Sequence, residues 1–284
     1  MKNMIKLMKN NRKKIILFSL FVGTVLLFVW YQNNHIVSSV FNYKSSKLSS
    51  DSGKFNIVQI SDLHNASFGK DNKKLIDNIE SLEPDIIVIT GDIIDSNHTD
   101  LKVSINFVKE MTKRYLVYYV TGNHEYWLDE SEREELFASI REAGAVILNN
   151  EKTTINMNHD SITLIGLDDH SLNDATLSSM MEQCDKNELT VVLAHEPQYI
   201  NNYCDAGADL VLTGHAHGGQ VILPFIGALI APGQGFLPQY TAGEIKRENT
   251  TMYISRGLGN SVIPLRLFNY PEIVSIEVQG YKGT

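Results

Sequence analysis

Five apolar runs rich in β-branched residues, at 55–60, 86–89, 116–120, 190–193 and 210–212, each end in a short patch containing Asp, Asn or His. The patches are Ser61-Asp62-Leu63-His64, Thr90-Gly91-Asp92, Thr121-Gly122-Asn123-His124-Glu125, Ala194-His195-Glu196 and Thr213-Gly214-His215-Ala216-His217. Runs of this kind read as buried strands, so each patch stands where a strand leaves its sheet. Amphipathic stretches lie between them, at about 71–82, 100–113, 131–142 and 174–184; Leu75, Ile76, Ile79 and Leu82 fall on one helical face. Strand then helix, repeated, gives parallel β-α units. Ligands of open α/β sheets bind outside the carboxyl ends of the strands. A fold for this chain has to bring those five ends to one edge.

The chemistry of the patches narrows the reading further. Asp62, His64, Asp92, Asn123, His195, His215 and His217 supply carboxylate, imidazole and amide oxygen, a donor set for Zn, Mn or Fe rather than calcium. Asp62 with His64, and His215 with His217, sit at i and i+2, where extended backbone points side chains the same way. Gly91 and Gly122 are expected to allow tight turns at the strand ends. Hydrolysis of a phosphate ester on such a set takes two metals ~3.5–4 Å apart, with a bridging hydroxide as the attacking group. It also takes a carboxylate able to bridge the metals and open positions for the substrate.

Other candidates are more ambiguous from sequence. Arg256 has the chemistry to grip a substrate phosphate in bidentate fashion, or to form a structural salt bridge. Asp168, Asp169 and His170 follow the strand at 162–167 and could approach the site. Glu125 and Glu196 are either acceptors that orient a ligand His or solvated carboxylates. Asp95, His35, His98 and His159 read as loop residues without a role.

The charge is unevenly spread. Residues 1–50 hold no acidic residue and eight basic ones, so 51–284 carries 17 basic against 33 acidic. Such a domain repels polyanions, which excludes long nucleic acid as a partner. Residues 15–31 are uncharged and rich in Leu, Phe, Val and Ile, long enough to span a ~30 Å hydrocarbon core at ~1.5 Å per residue. The cationic segment 1–14 before the run, and Trp30-Tyr31 closing it, fit a single N-terminal transmembrane helix with the following domain on the extracytoplasmic side. The rival is a secretory signal peptide cleaved near Val37-Ser38-Ser39. The polar residues 32–54 read as a flexible tether. Cys184 and Cys204 do not make a disulfide framework.

Past His217 the pattern changes. Residues 222–240 are apolar with several Pro and Gly, a long ordered loop that either packs over the fold or meets lipid. A hairpin is expected at 152–156 and 161–167, and two last strands at 252–255 and 273–278.

Taken in order, Asp-x-His, Gly-Asp, Gly-Asn-His-Glu, a lone His and Gly-His-x-His resemble the calcineurin-like metallophosphoesterases. The stretch from Tyr253 to Asn260 and Pro271-Glu272-Ile273 are similar to the membrane-associated bacterial branch, which includes UDP-2,3-diacylglucosamine pyrophosphatases. The resemblance implies a four-layer α-β-β-α sandwich over 55–284 and two divalent ions, Mn, Zn or Fe. It implies Asp62, His64 and His217 on one metal, Asn123, His195 and His215 on the other, Asp92 bridging, and His124 as a catalytic group outside the ligand set. The expected activity is hydrolysis of a phosphodiester or pyrophosphate, with a lipid- or envelope-linked substrate. The alternatives are a soluble-nucleotide phosphodiesterase and a non-catalytic metal-binding envelope protein.

Overall fold

A computed structural model of the chain describes residues 2–97, 100–157, 159–172, 175–260 and 265–281, with 2–11 as backbone only. His98 and Asn158 thus lie outside the described residues.

Two six-stranded sheets face one another. The first has the order β1-β16-β2-β3-β4-β5: β1 is Val37–Ser45, β2 Lys54–Ile60, β3 Ile86–Thr90, β4 Leu116–Val120, β5 Val146–Ile147 and β16 Glu272–Gly280. β2 to β5 run parallel, and β16 enters antiparallel to β2. The second has the order β14-β15-β9-β8-β7-β6: β6 is Glu151–Asn156, β7 Ser161–Gly166, β8 Leu189–Leu193, β9 Leu210–Thr213, β14 Gly243–Arg247 and β15 Thr250–Ile254. β7, β8, β9 and β15 are parallel, and β6 and β14 are antiparallel edges.

Between the sheets lie Ile57, Val88, Val120, Leu164, Val191, Leu193 and Leu212, all fully buried. Each such side chain contributes ~1.5–3 kcal/mol over leaving it exposed. The outer face of the first sheet is covered by α2 (Lys73–Glu80), α3 (Leu101–Thr112) and α5 (Glu130–Glu142), through Leu75, Ile79, Phe107, Val108, Met111, Leu136 and Ile140. The second is covered by the shorter α6 (Thr176–Met181) and α7 (Ile200–Asp205). The result is the four-layer α-β-β-α sandwich. A further short helix, α4 (Asn123–Tyr126), sits at the end of β4, and four two-residue strands follow His217: β10 (Ile222–Leu223), β11 (Gly227–Ala228), β12 (Ile230–Ala231) and β13 (Gly235–Phe236). β10 pairs with β11, and β12 with β13.

The tether expected at 32–54 is not there. The first helix, α1 (Lys2–Asn34), runs three residues beyond the apolar stretch, and the strand β1 begins almost at once. β1 pairs parallel with β16 along its whole length, from Val37 opposite Glu272 to Ser45 opposite Gly280. Its Ser- and Asn-rich sequence hid a period of two: Ser39, Phe41 and Tyr43 turn inward while Ser38, Val40, Asn42 and Lys44 face solvent. Phe41 stacks on Tyr253 at 4.6 Å between ring centres. That alternation suits an edge strand, but its partner lies more than 230 residues away in the chain.

The end of α1 is docked too. Gln32 is buried and donates to the Tyr270 hydroxyl at 3.0 Å; Asn33 Oδ1 accepts from the Arg266 backbone N–H at 3.0 Å and from Asn260 at 3.2 Å. His35, expected to lack a role, fills this joint between Tyr31 and Tyr270.

Candidate metal centre

The five patches meet where the two sheets' carboxyl ends face each other. From the first sheet come Asp62 and His64 after β2, Asp92 after β3 and Asn123 and His124 after β4; from the second come His195 after β8 and His215 and His217 after β9. All but Asn123 are buried.

Among the described residues three donor groups form here, and two of them divide the predicted ligands. The donor atoms of Asp62, His64 and His217 lie within 4.8 Å of one another, and so do those of Asp92, His195 and His215. In the first, His64 Nε2 and His217 Nε2 are 3.2 Å apart, and His217 Nε2 is 3.4 Å from Asp62 Oδ1. In the second, His195 Nε2 is 3.1 Å from His215 Nδ1 and 3.2 Å from Asn123 Oδ1. Asp92 Oδ2 serves both, 3.5 Å from His64 Nε2 and 3.2 Å from His195 Nε2. His195 Nδ1 lies 2.8 Å from the Thr90 carbonyl, so it carries the hydrogen and its other nitrogen is turned into the cluster.

The local backbone is strained to achieve this. Asp62, His64, Asp92, His215 and His217 all have φ between 45° and 64°, the left-handed region that L-residues avoid. Strain of this kind, of order 1–3 kcal/mol per residue, persists only where surrounding bonds over-determine it. Those bonds are present: Asp62 N–H donates to Gly91 O, His64 N–H to Asp92 O, and His215 N–H to the Asp62 carboxylate. Gly91, at φ 85°, makes the expected turn. Gly122 does not turn, since its backbone is extended; it leaves space, because a Cβ there would come 2.8 Å from the Asp92 backbone nitrogen and from His195 Cε1.

The buried groups of the cluster shift one another strongly. Burial pushes Asp62 up to about 6, with His195 opposing and Asp92 adding. Burial lowers His64 to about 4 and His215 to about 3, and takes His217 well below the ordinary range. Against its own burial, His195 is held well above that range by Asp92, whose carboxyl is in turn held well below its own. Imidazoles facing each other and facing buried carboxylates are a set that a divalent cation satisfies. The donors present therefore fit two such ions.

Several residues behave differently from their sequence reading. Glu125 is neither solvated nor aimed at a ligand His. Its Oε2 accepts the N–H of Gly122 at 2.7 Å and of Asp92 at 2.9 Å, and its Oε1 accepts that of Ile93 at 2.9 Å, so it locks two strand ends together. Burial and the nearby Asp92 push it up to about 7. Asp95 is more than a loop residue: its Oδ1 is 3.7 Å from His124 Nδ1, and Ser96 N–H donates to the same nitrogen at 3.2 Å. Arg256 is turned onto Glu272, its Nε 3.8 Å from Oε1, the structural alternative named for it.

The arginine that does reach the cluster is Arg266, fully buried, with Nη2 3.5 Å from His217 Nδ1 and both Nε and Nη2 bonded to Gly259 O. It stands in an apolar stretch near the chain's end, and no sequence signal marked it. Asp168 accepts from the Tyr126 hydroxyl and His170 stacks on that ring, whereas Asp169 approaches the site, its N–H donating to Thr121 Oγ1. Glu196 accepts from Gln198.

Comparison with known proteins gives the family. The chain is 30% identical to the metallophosphoesterase YkoQ of Bacillus subtilis over 222 residues, covering 78% of this chain and 82% of that one. It is 31% identical to YkuE of the same organism over 250 residues, covering 86% of each. It is also similar to a Bos taurus transmembrane protein with a metallophosphoesterase domain, 30% over 241 residues, which covers 78% of this chain and 52% of that protein. Residues 55–219 match the calcineurin-like phosphoesterase pattern, and that span holds every donor described above. The chain belongs to the calcineurin-like phosphoesterase family, and it is a metal-dependent phosphoric ester hydrolase.

Proposed function

We propose that this hydrolase cleaves a phosphodiester or pyrophosphate bond in a lipid- or envelope-linked substrate, on the extracytoplasmic side of a membrane that α1 spans. The observation that carries the chemistry is Asp92 Oδ2, a single oxygen within 3.5 Å of both donor groups. Asp62, His64 and His217 would hold one divalent ion, Asn123, His195 and His215 the other, and Asp92 would touch both. Mn, Zn and Fe all suit these donors. Two such ions supply Lewis acidity toward the phosphoryl group and neutralise its charge.

His124 is assigned to proton transfer. Ser96 N–H donates to its Nδ1, so the ring carries its hydrogen on Nε2. That ring can give a proton to a leaving oxygen or a hydrogen bond to a phosphoryl oxygen. The third donor grouping, His64, Asp95 and His124, is less suited to an ion, because Nδ1 of His124 is already an acceptor.

The location rests on α1, whose segment Arg12–Asn34 is long and apolar enough to cross a membrane and is scarcely buried by the rest of the chain. Signal-peptide cleavage near Val37 would cut into β1, which favours a retained anchor. The enzyme reading is tested with bis(p-nitrophenyl) phosphate, with and without added Mn. Turnover that appears with Mn and disappears with chelator is expected, and no turnover under any metal defeats the assignment. Envelope lipids with a pyrophosphate link, run against soluble nucleotides, then test the substrate class; preference for nucleotides overturns it. Protease added to intact protoplasts should digest the domain, and a domain protected until permeabilisation would place it inside.

A further inference from the structure

The segment after His217 leaves its largest side chains outside the fold. Phe225 is 107% exposed and Phe236 73%, with Ile226 and Leu237 exposed beside them. Phe268, also exposed, belongs to the same surface, because Ile222 N–H donates to Leu267 O at 3.0 Å and Val221 bridges Leu267. Large apolar side chains scattered singly need no explanation, but a contiguous group of them marks an interaction surface.

Its position identifies the partner. The Phe268 ring lies 5.7 Å from that of Phe28 on α1. Phe28 sits inside the apolar run, ~4.5 Å from Tyr31 along a helix rising ~1.5 Å per residue. Whatever surrounds that end of α1 therefore surrounds Phe268. The joint is fixed by Gln32 and Asn33, buried against Tyr270, Asn260 and Arg266, so the platform and the helix move together. On the polar side, Lys74 Nζ reaches the Asn34 carbonyl at 2.5 Å, placing a cation at the depth where lipid headgroups begin.

We propose that residues 222–237 together with Phe268 form a second membrane contact, seated in the leaflet that holds the C-terminal end of α1. This rests on the reading of α1 as a membrane span. The same segment walls the metal centre: a side chain at Gly233 would come 3.5 Å from His215 Nε2. A headgroup phosphate therefore meets the donor cluster while its lipid stays in the bilayer.

The test uses the full chain with Cys184→Ser and Cys204→Ser, reconstituted in phosphatidylcholine–phosphatidylglycerol vesicles. A single cysteine replaces Val22, Phe225, Phe236 or Lys186 in turn and carries an environment-sensitive fluorophore. Doxyl-labelled lipid and aqueous iodide are the two quenchers. Labels at 225 and 236 should be quenched by doxyl lipid at least about half as strongly as the label at 22 and be sheltered from iodide, with 186 the reverse, as an interface-seated loop requires. Iodide quenching at 225 equal to that at 186 overturns the proposal, and shelter from both quenchers overturns it in favour of a protein partner. Failure of the label at 22 to meet doxyl lipid removes the span itself, and the proposal with it.

Discussion

The strand ends carrying Asp62, His64, Asp92, His195, His215 and His217 are buried and bonded, and all of these but His195 are held in backbone conformations they would not choose alone. The segment that follows them, 222–237, is built of two-residue strands and turns Phe225 and Phe236 outward. The first region spends conformational freedom to fix donor atoms. The second buries Ala231 but leaves its largest side chains exposed. Adjacent stretches of one chain thus divide two tasks, one placing atoms for chemistry and the other placing the whole site in its surroundings. If that division holds, substitutions in the two regions should fail in different ways.

The largest effect belongs to Asp92. Asp92→Asn weakens the oxygen that both donor groups share, so metal content should fall at both positions and turnover by ~10⁴-fold, as loss of several kcal/mol of charge stabilisation implies. Elemental analysis after gel filtration is the measurement. His217→Ala should empty mainly one position, and a similar half loss in Asp92→Asn would refute its shared role.

Next is His124→Ala, where the rate should drop ~10²–10⁴-fold with both metals retained. The defect should shrink for esters with good leaving groups, which need little protonation. Loss of a metal in this variant would move His124 into the ligand set.

How far the sequence led differs between the same two regions. Donors after β2, β3, β4, β8 and β9 are legible because each lies a few residues past an apolar run; the left-handed backbone at Asp62, His64, His215 and His217, in place of the extended backbone expected for these i, i+2 pairs, is not. The roles of Glu125, Asp95 and Arg266 are not legible in the sequence, since they depend on backbone groups and rings of other strand ends. β1 reads as a tether from sequence because about half of its residues face solvent and its partner β16 lies more than 230 residues away. Local pattern reveals what a strand end presents, and long-range pairing reveals what holds it.

A smaller effect concerns Asp169, close to the centre but outside both donor groups. Burial pushes its carboxyl up to about 7 from an ordinary 3.8, with His195 opposing. A folded value above the unfolded one means that ionisation costs stability. The cost is absent below about 3.8, grows as pH rises and is complete above about 7. Asp169→Asn should therefore stabilise the chelated protein at pH 8 by ~1–2 kcal/mol, discounted from 1.36 kcal/mol per pKa unit for partial exposure. At pH 4 it should change little. Equal stabilisation at both pH values in urea titrations would show that the gain comes from packing.

The smallest effect is expected where the surface looks most apolar. Phe225→Ser with Phe236→Ser removes two rings that bury almost nothing within the fold. In detergent the double variant should stay within ~0.5 kcal/mol of the parent, as surface changes away from caps, cores and charge networks do. Its turnover of bis(p-nitrophenyl) phosphate should match the parent, because neither ring supplies a donor atom. The same changes at the rim, one residue from a strained Asp or His, would cost both stability and metal. A double variant that lost stability in detergent would mean that these rings fold back onto the wall of the metal centre. The boundary between the region that holds the ions and the region that faces outward would then lie well beyond His217.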